Sequence, residues 1–151
     1  MKKLLFVVLL SGLLVSVAQA NEKLWLTDFE AAKKAASERE VPILVDFTGS
    51  DWCGWCIRLK DEVFSKDAFI AYAKENLVLL MLDFPMRTEL PDALKEQNET
   101  LRERYRIRGF PTILLLDAEG EELARTGYRR GGPEAYVEHL QELLRVEKVE
   151  E

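Results

Sequence analysis

Apolar residues along this chain fall into short continuous runs separated by stretches of helical spacing. The runs at 41–47, 77–84 and 112–116 are rich in Val, Ile and Leu. Runs of that length predict strands buried on both faces, which carry little polar alternation. A further strand is expected over 123–128, joined to the one before it by the turn Asp117-Ala118-Glu119-Gly120. Thr27, with Glu30 three residues on, reads as a capping box for a helix running to about Glu38. A second helix is expected to start at Cys53 and continue towards Phe64. Ser65 then reads as a break and a new cap, with a helical piece from Lys66 to about Lys74. A further helix is expected from about Asp92 to Arg104. Gly131-Gly132-Pro133 opens the last one, with Tyr136, Leu140, Leu143 and Leu144 on its apolar face. The stretch 85–91 is irregular, and the tail 146–151 is too charged to be buried. Helix, strand, helix, strand, helix, strand, strand, helix is the order of an α/β protein. Its sheet should have a parallel part and an antiparallel hairpin at one edge.

The first twenty residues stand apart from this pattern. Lys2 and Lys3 precede an apolar stretch, and Ala18-Gln19-Ala20 closes it with small residues where a signal peptidase reads. The stretch is shorter than the roughly 18 apolar residues needed to span a bilayer. No cysteine follows it to accept a lipid. Residues 1–20 are therefore expected to be a signal peptide cleaved after Ala20, with an uncleaved anchor as the alternative. Residues 21–151 are expected to form one domain, periplasmic or secreted. Cleavage removes two lysines and leaves the chain two units more negative than its full-length −6. So acidic a chain is a poor partner for nucleic acid or anionic membranes.

The only cysteines are Cys53 and Cys56, in Trp52-Cys53-Gly54-Trp55-Cys56. This spacing suits a disulfide that opens and closes at the start of a helix. Half of a zinc site and a structural staple are the alternatives. Zinc takes about four ligands, and the single histidine, His139, lies far along the chain. A staple across so short a loop constrains the unfolded chain little. No metal is expected, and no cofactor beyond the cysteine pair itself.

Three features make the chain resemble the thioredoxin-like family over about residues 23–146. Ile43-Leu44-Val45-Asp46-Phe47 leads by a short turn into the cysteine pair. Arg108-Gly109-Phe110-Pro111-Thr112 is similar to the family's cis-proline loop. A hairpin then precedes a C-terminal helix. The resemblance implies a thioredoxin fold, a central mixed sheet flanked by helices. It implies that Cys53, at a helix N-terminus, is the ionised nucleophile. Cys56 would be the less exposed thiol that resolves the mixed disulfide. Asp46, an acid inside an apolar run, would exchange protons with Cys56, its pKa raised towards neutrality by burial. An edge-of-core aspartate bonded to backbone or water is the alternative reading of that residue. Pro111 would be cis, with the backbone at Phe110 pairing with a substrate chain. A trans-proline opening a strand is the alternative there. Trp55 reads as an apolar platform for a substrate peptide and Trp52 as a packing residue.

The implied activity is exported thiol–disulfide exchange on protein substrates, in the reductase direction. Electrons would come from a membrane or soluble thiol partner, and the protein would be a monomer. A disulfide oxidase or isomerase would carry the same residues. A redox-inert module holding a peptide or a metal ion is a reading of another class. The chain also departs from the familiar thioredoxin pattern. Asp46 lies seven residues before Cys53, one more than usual, and Trp55 replaces a proline. Met81 stands where a lysine is usual, which should raise the Asp46 pKa further. The segment 85–97 is longer than its counterpart and reads as a surface insertion or a device for partner choice. Arg102, Arg104, Arg106 and Arg108 read as solvated charges near a helix C-terminus rather than as substrate steering. Asn98-Glu99-Thr100 is a glycosylation triplet of the kind that arises by chance.

Overall fold

A computed structural model describes residues 24–150. The expected signal peptide, residues 1–20, lies outside the described residues. In chain order the elements are β1 (Trp25–Leu26), α1 (Phe29–Arg39), β2 (Ile43–Thr48) and α2 (Gly54–Leu59). A π-helical turn (Lys60–Phe64) follows, then α3 (Asp67–Asn76), β3 (Val78–Asp83) and α4 (Asp92–Arg104). β4 (Thr112–Leu116), β5 (Glu122–Thr126) and α5 (Gly132–Glu150) complete the chain. The sheet order is β1-β3-β2-β4-β5. β1, β3 and β2 run parallel, while β4 is antiparallel to β2 and β5 to β4. The expected mixed sheet with an antiparallel edge is therefore present.

All six residues of β2 are buried. Successive side chains point to opposite faces of a strand, so β2 feeds two cores. Ile43, Val45 and Phe47 pack with Phe29, Leu101 and Tyr105 beneath α1 and α4. Leu44 packs on the other side with Leu59, Phe64, Phe69, Tyr136 and Leu140, beneath α2, α3 and α5. Asp46 and Thr48 share the face of Leu44, and so point towards the layer that contains α2.

Several boundaries differ from the sequence reading. The N-cap of α1 is Asp28, whose carboxylate accepts the Ala31 N–H at 2.7 Å. Thr27 and Asp28 are both capping residue types, and the helix begins one residue later than expected. Ser65 does not open α3: Lys66 is its N-cap, and Ser65 instead closes the preceding turn, its hydroxyl donating back to the Asp61 carbonyl at 3.2 Å. The Ser65 N–H instead reaches the Lys60 carbonyl at 2.9 Å, which widens the turn into a π-helix. β1 was not foreseen, because two residues carry no periodicity. β5 begins and ends earlier than expected, and α5 continues through the charged tail to Glu150.

Candidate active site

β2 leaves the sheet at Thr48 and turns through Gly49 to Asp51 into the cysteine pair. The turn closes when the Cys53 N–H donates to the Gly49 carbonyl at 2.9 Å. A Cβ at Gly49 would overlap the Trp52 indole, so a larger residue there would displace that ring. Cys53 is the N-cap of α2, and its Sγ accepts the Cys56 N–H at 3.3 Å. Cys53 and Cys56 are joined in a disulfide. The expected contrast in exposure is not present. Cys53 is 6% and Cys56 4% exposed, so both are buried to nearly the same degree. Position separates them instead: Cys53 sits at the helix start, where unpaired N–H groups favour a thiolate, and Cys56 lies inside the first turn.

Asp46 is buried, and its Oδ1 has no hydrogen-bond partner. Burial, and secondarily the charge of Asp83, pushes its pKa up to about 7. Met81 lies opposite Asp46 in register, so no lysine offsets that shift. Asp83 was not anticipated. It is two residues beyond Met81 on the same face of β3, and its carboxylate accepts the Ser50 N–H at 2.9 Å and the Ser50 hydroxyl. Tyr136, the largest fully buried side chain, has its pKa raised first by burial and then by Asp46. Asp46 is therefore coupled electrostatically to the partly exposed Asp83 and to the buried Tyr136.

The Phe110–Pro111 peptide is cis. Pro111 immediately precedes β4, and Ile113 lies opposite Asp46 in register. The sheet thus brings the proline loop alongside the end of β2. Trp52 packs edge-on against Phe110, with ring centroids 5.8 Å apart, and its indole N–H donates to the Phe84 carbonyl at 2.8 Å. Packing fits that observation, although the ring is 41% exposed. Trp55 is half exposed and lies against Tyr128 at 5.0 Å, with the Arg58 guanidinium over its ring. Glu62 ties this side together: it pairs with Arg58 at 3.0 Å and accepts the Tyr128 hydroxyl at 2.6 Å.

The segment after β3 is fastened to the cysteine turn. The Asp51 carboxylate accepts the N–H groups of Met86, Arg87 and Thr88 at 2.9, 2.7 and 3.2 Å. These bonds, the Met86 one foremost, hold its pKa below the usual carboxylate range. The extra residue in the cysteine turn and the extra residues after β3 thus meet each other. Asn98 is buried and donates to the Asp83 carbonyl at 2.9 Å, so its amide serves the fold and is not presented for glycosylation. His139 is partly exposed, and its Nε2 lies 2.9 Å from the Thr126 hydroxyl. Among the described residues, no group of three or more His, Cys, Asp or Glu side chains could hold a metal ion.

Comparison with known proteins places these features. A thioredoxin-like domain model matches residues 29–143. The disulfide bond reductase DsbH of Chlamydia pneumoniae is 35% identical over 130 residues, covering 86% of this chain and 77% of that protein. The thioredoxin-related protein DsbJ of the same organism is 29% identical over 130 residues, which cover 83% of this chain and 37% of DsbJ. Among solved structures, a DsbH oxidoreductase matches with a TM-score of 0.77 at 35% identity, covering 80% of this chain and 83% of that one. A thioredoxin from Thermus thermophilus matches with a TM-score of 0.56 at 25% identity, covering 81% and 85% of the two chains.

Proposed function

This chain belongs to the thioredoxin-like family of thiol–disulfide oxidoreductases and has its fold, and on that premise we propose that it is an exported protein-disulfide reductase working through Cys53 and Cys56. The observation that supports this most is the disulfide at the start of α2, with one sulfur accepting a helix N–H, together with an unpartnered buried acid on β2, the strand that leads into it. In the reduced protein the Cys53 thiolate attacks one sulfur of a substrate disulfide. The Cys53–substrate bond forms as the substrate's own S–S bond breaks, and the departing thiolate takes a proton from water. Cys56 then gives its proton to the Asp46 carboxylate and attacks the Cys53 sulfur. The Cys53–Cys56 bond forms as the Cys53–substrate bond breaks. The departing substrate thiolate takes up the proton that Asp46 returns, so the substrate leaves with both sulfurs reduced. An acid with a pKa near 7 is divided between its two forms at neutral pH, and so can both accept and return that proton. Phe110 and Pro111 offer backbone against which an extended substrate lies, and Trp55 an apolar platform.

The reductase direction is supported by the printed name of the DsbH relative. The redox potential tests it. A value near about −270 mV fits a reductant, and one well above about −200 mV would reassign the protein as an oxidant or isomerase. Export rests on residues 1–20, and the mass of the mature protein should correspond to a chain starting at Asn21. The mature protein is proposed to be a monomer that receives electrons from a membrane or soluble thiol partner. Insulin reduction by dithiothreitol tests the activity itself. The wild type should accelerate it and Cys53→Ser should not, and equal rates would end the oxidoreductase reading.

A further inference from the structure

The charge of this chain is unevenly placed. The whole sequence carries −6. Yet the three loops that meet the cysteine turn, residues 84–88, 106–111 and 127–131, contain five arginines and no aspartate or glutamate. Arg87, Arg106, Arg108, Arg129 and Arg130 are all exposed. Among the described residues none of the five takes part in an ion pair. Two nearby acids are otherwise engaged: Asp51 holds three backbone N–H groups, and Glu62 holds Arg58 and Tyr128. Glu89, exposed two residues after Arg87, and Glu134, exposed three residues after Gly131, follow these loops closely.

Each loop is fixed to the site by a contact already described. Asp51 fastens the Arg87 loop, Trp52 packs on Phe110 of the Arg108 loop, and Trp55 lies on Tyr128 beside Arg129. The turn that carries the cysteine pair and the exposed Trp52 and Trp55 is therefore bordered by the three loops that carry these arginines. We propose that this rim selects protein substrates whose target disulfide is flanked by aspartate or glutamate. The inference rests on the oxidoreductase reading and names its substrate class. Apolar portions of the substrate lie on Trp52 and Trp55, and its carboxylates face the arginines. Solvent-exposed pairs of this kind act mainly on encounter rate and partner choice, and salt screens them.

Three synthetic peptides test this, identical except for Glu, Gln or Lys on both sides of one disulfide. The probe is the rate at which the reduced protein opens each of them. Opening of the Glu peptide should be about tenfold faster than that of the Lys peptide at low salt, with the Gln peptide between them. The gap should shrink to within about twofold at roughly 0.5 M salt, where the Debye length falls to a few Å. The triple variant Arg108→Glu, Arg129→Glu, Arg130→Glu should invert the order. Equal rates for the three peptides at low salt would overturn the inference and leave the oxidoreductase reading standing. Failure to open any of them would remove that reading, and the inference with it. Sedimentation velocity supplies a further check, because this acidic chain could cover the rim with a second copy of itself. A salt-sensitive dimer lost in the triple variant would assign the arginines to that contact and overturn the proposal.

Discussion

The two faces of β2 are built from the same strand and do opposite things. On one face Ile43, Val45 and Phe47 lie in an apolar layer, with Phe47 packed between Phe84 and Tyr105. On the other, Leu44 is followed by Asp46 and Thr48, and the Asp46 carboxyl is buried without a partner for Oδ1. The first face holds the domain together. The second carries a group that burial disfavours when charged, and it is the face towards α2. A polar atom with no partner in a well-packed layer lowers stability. The proton-carrying role proposed for Asp46 gives that loss a purpose.

The largest effect should come from the apolar face. Phe47→Ala should lower stability by about 3–5 kcal/mol, read by urea denaturation, because it empties a fully buried site. A loss under about 1 kcal/mol would mean that this layer is not the main support.

On the opposite face the sign should reverse. The folded pKa of Asp46 is raised from 3.8 to about 7, so between those values the native state holds a proton that the unfolded chain has lost. Stability therefore falls as pH rises across that window and is flat above it. The fall is on the order of 4 kcal/mol. Asp46→Ala should thus be more stable than wild type by about 2–4 kcal/mol at pH 8, and should lose that advantage below pH 4. An advantage that does not change with pH would contradict a titrating buried acid.

A smaller change should come from the neighbouring charge. Asp83→Asn removes the second cause of the shift and should move the Asp46 pKa downward, leaving burial as the main cause. Carbon-13 NMR of the labelled aspartate carboxyls reads this directly. An unmoved Asp46 signal would separate the two groups.

Much of this contrast is legible in the sequence. The apolar runs mark β2, β3 and β4, and a lone acid inside one of them marks Asp46. The cysteine pair needs only its spacing. Contacts made across the fold are not legible. Ser50 with Asp83, and Asp51 with Met86, Arg87 and Thr88, join residues more than thirty positions apart. No local pattern signals such a clamp. In the sequence the 85–97 segment reads as a surface insertion or a device for partner choice, and its anchoring to Asp51 at its start could not be read there. The near-equal burial of the two cysteines was also out of reach, since spacing along the chain does not set exposure in the fold.

The most direct test is the rate at which Cys56 displaces a peptide held on Cys53, followed by stopped flow from pH 5 to 9. The wild type should show an inflection near pH 7, the value to which Asp46 is raised. Asp46→Asn should be at least about tenfold slower at neutral pH and should lack that inflection, as expected when a positioned proton acceptor is removed. Superimposable rates and profiles for the two proteins would contradict a proton-carrying Asp46.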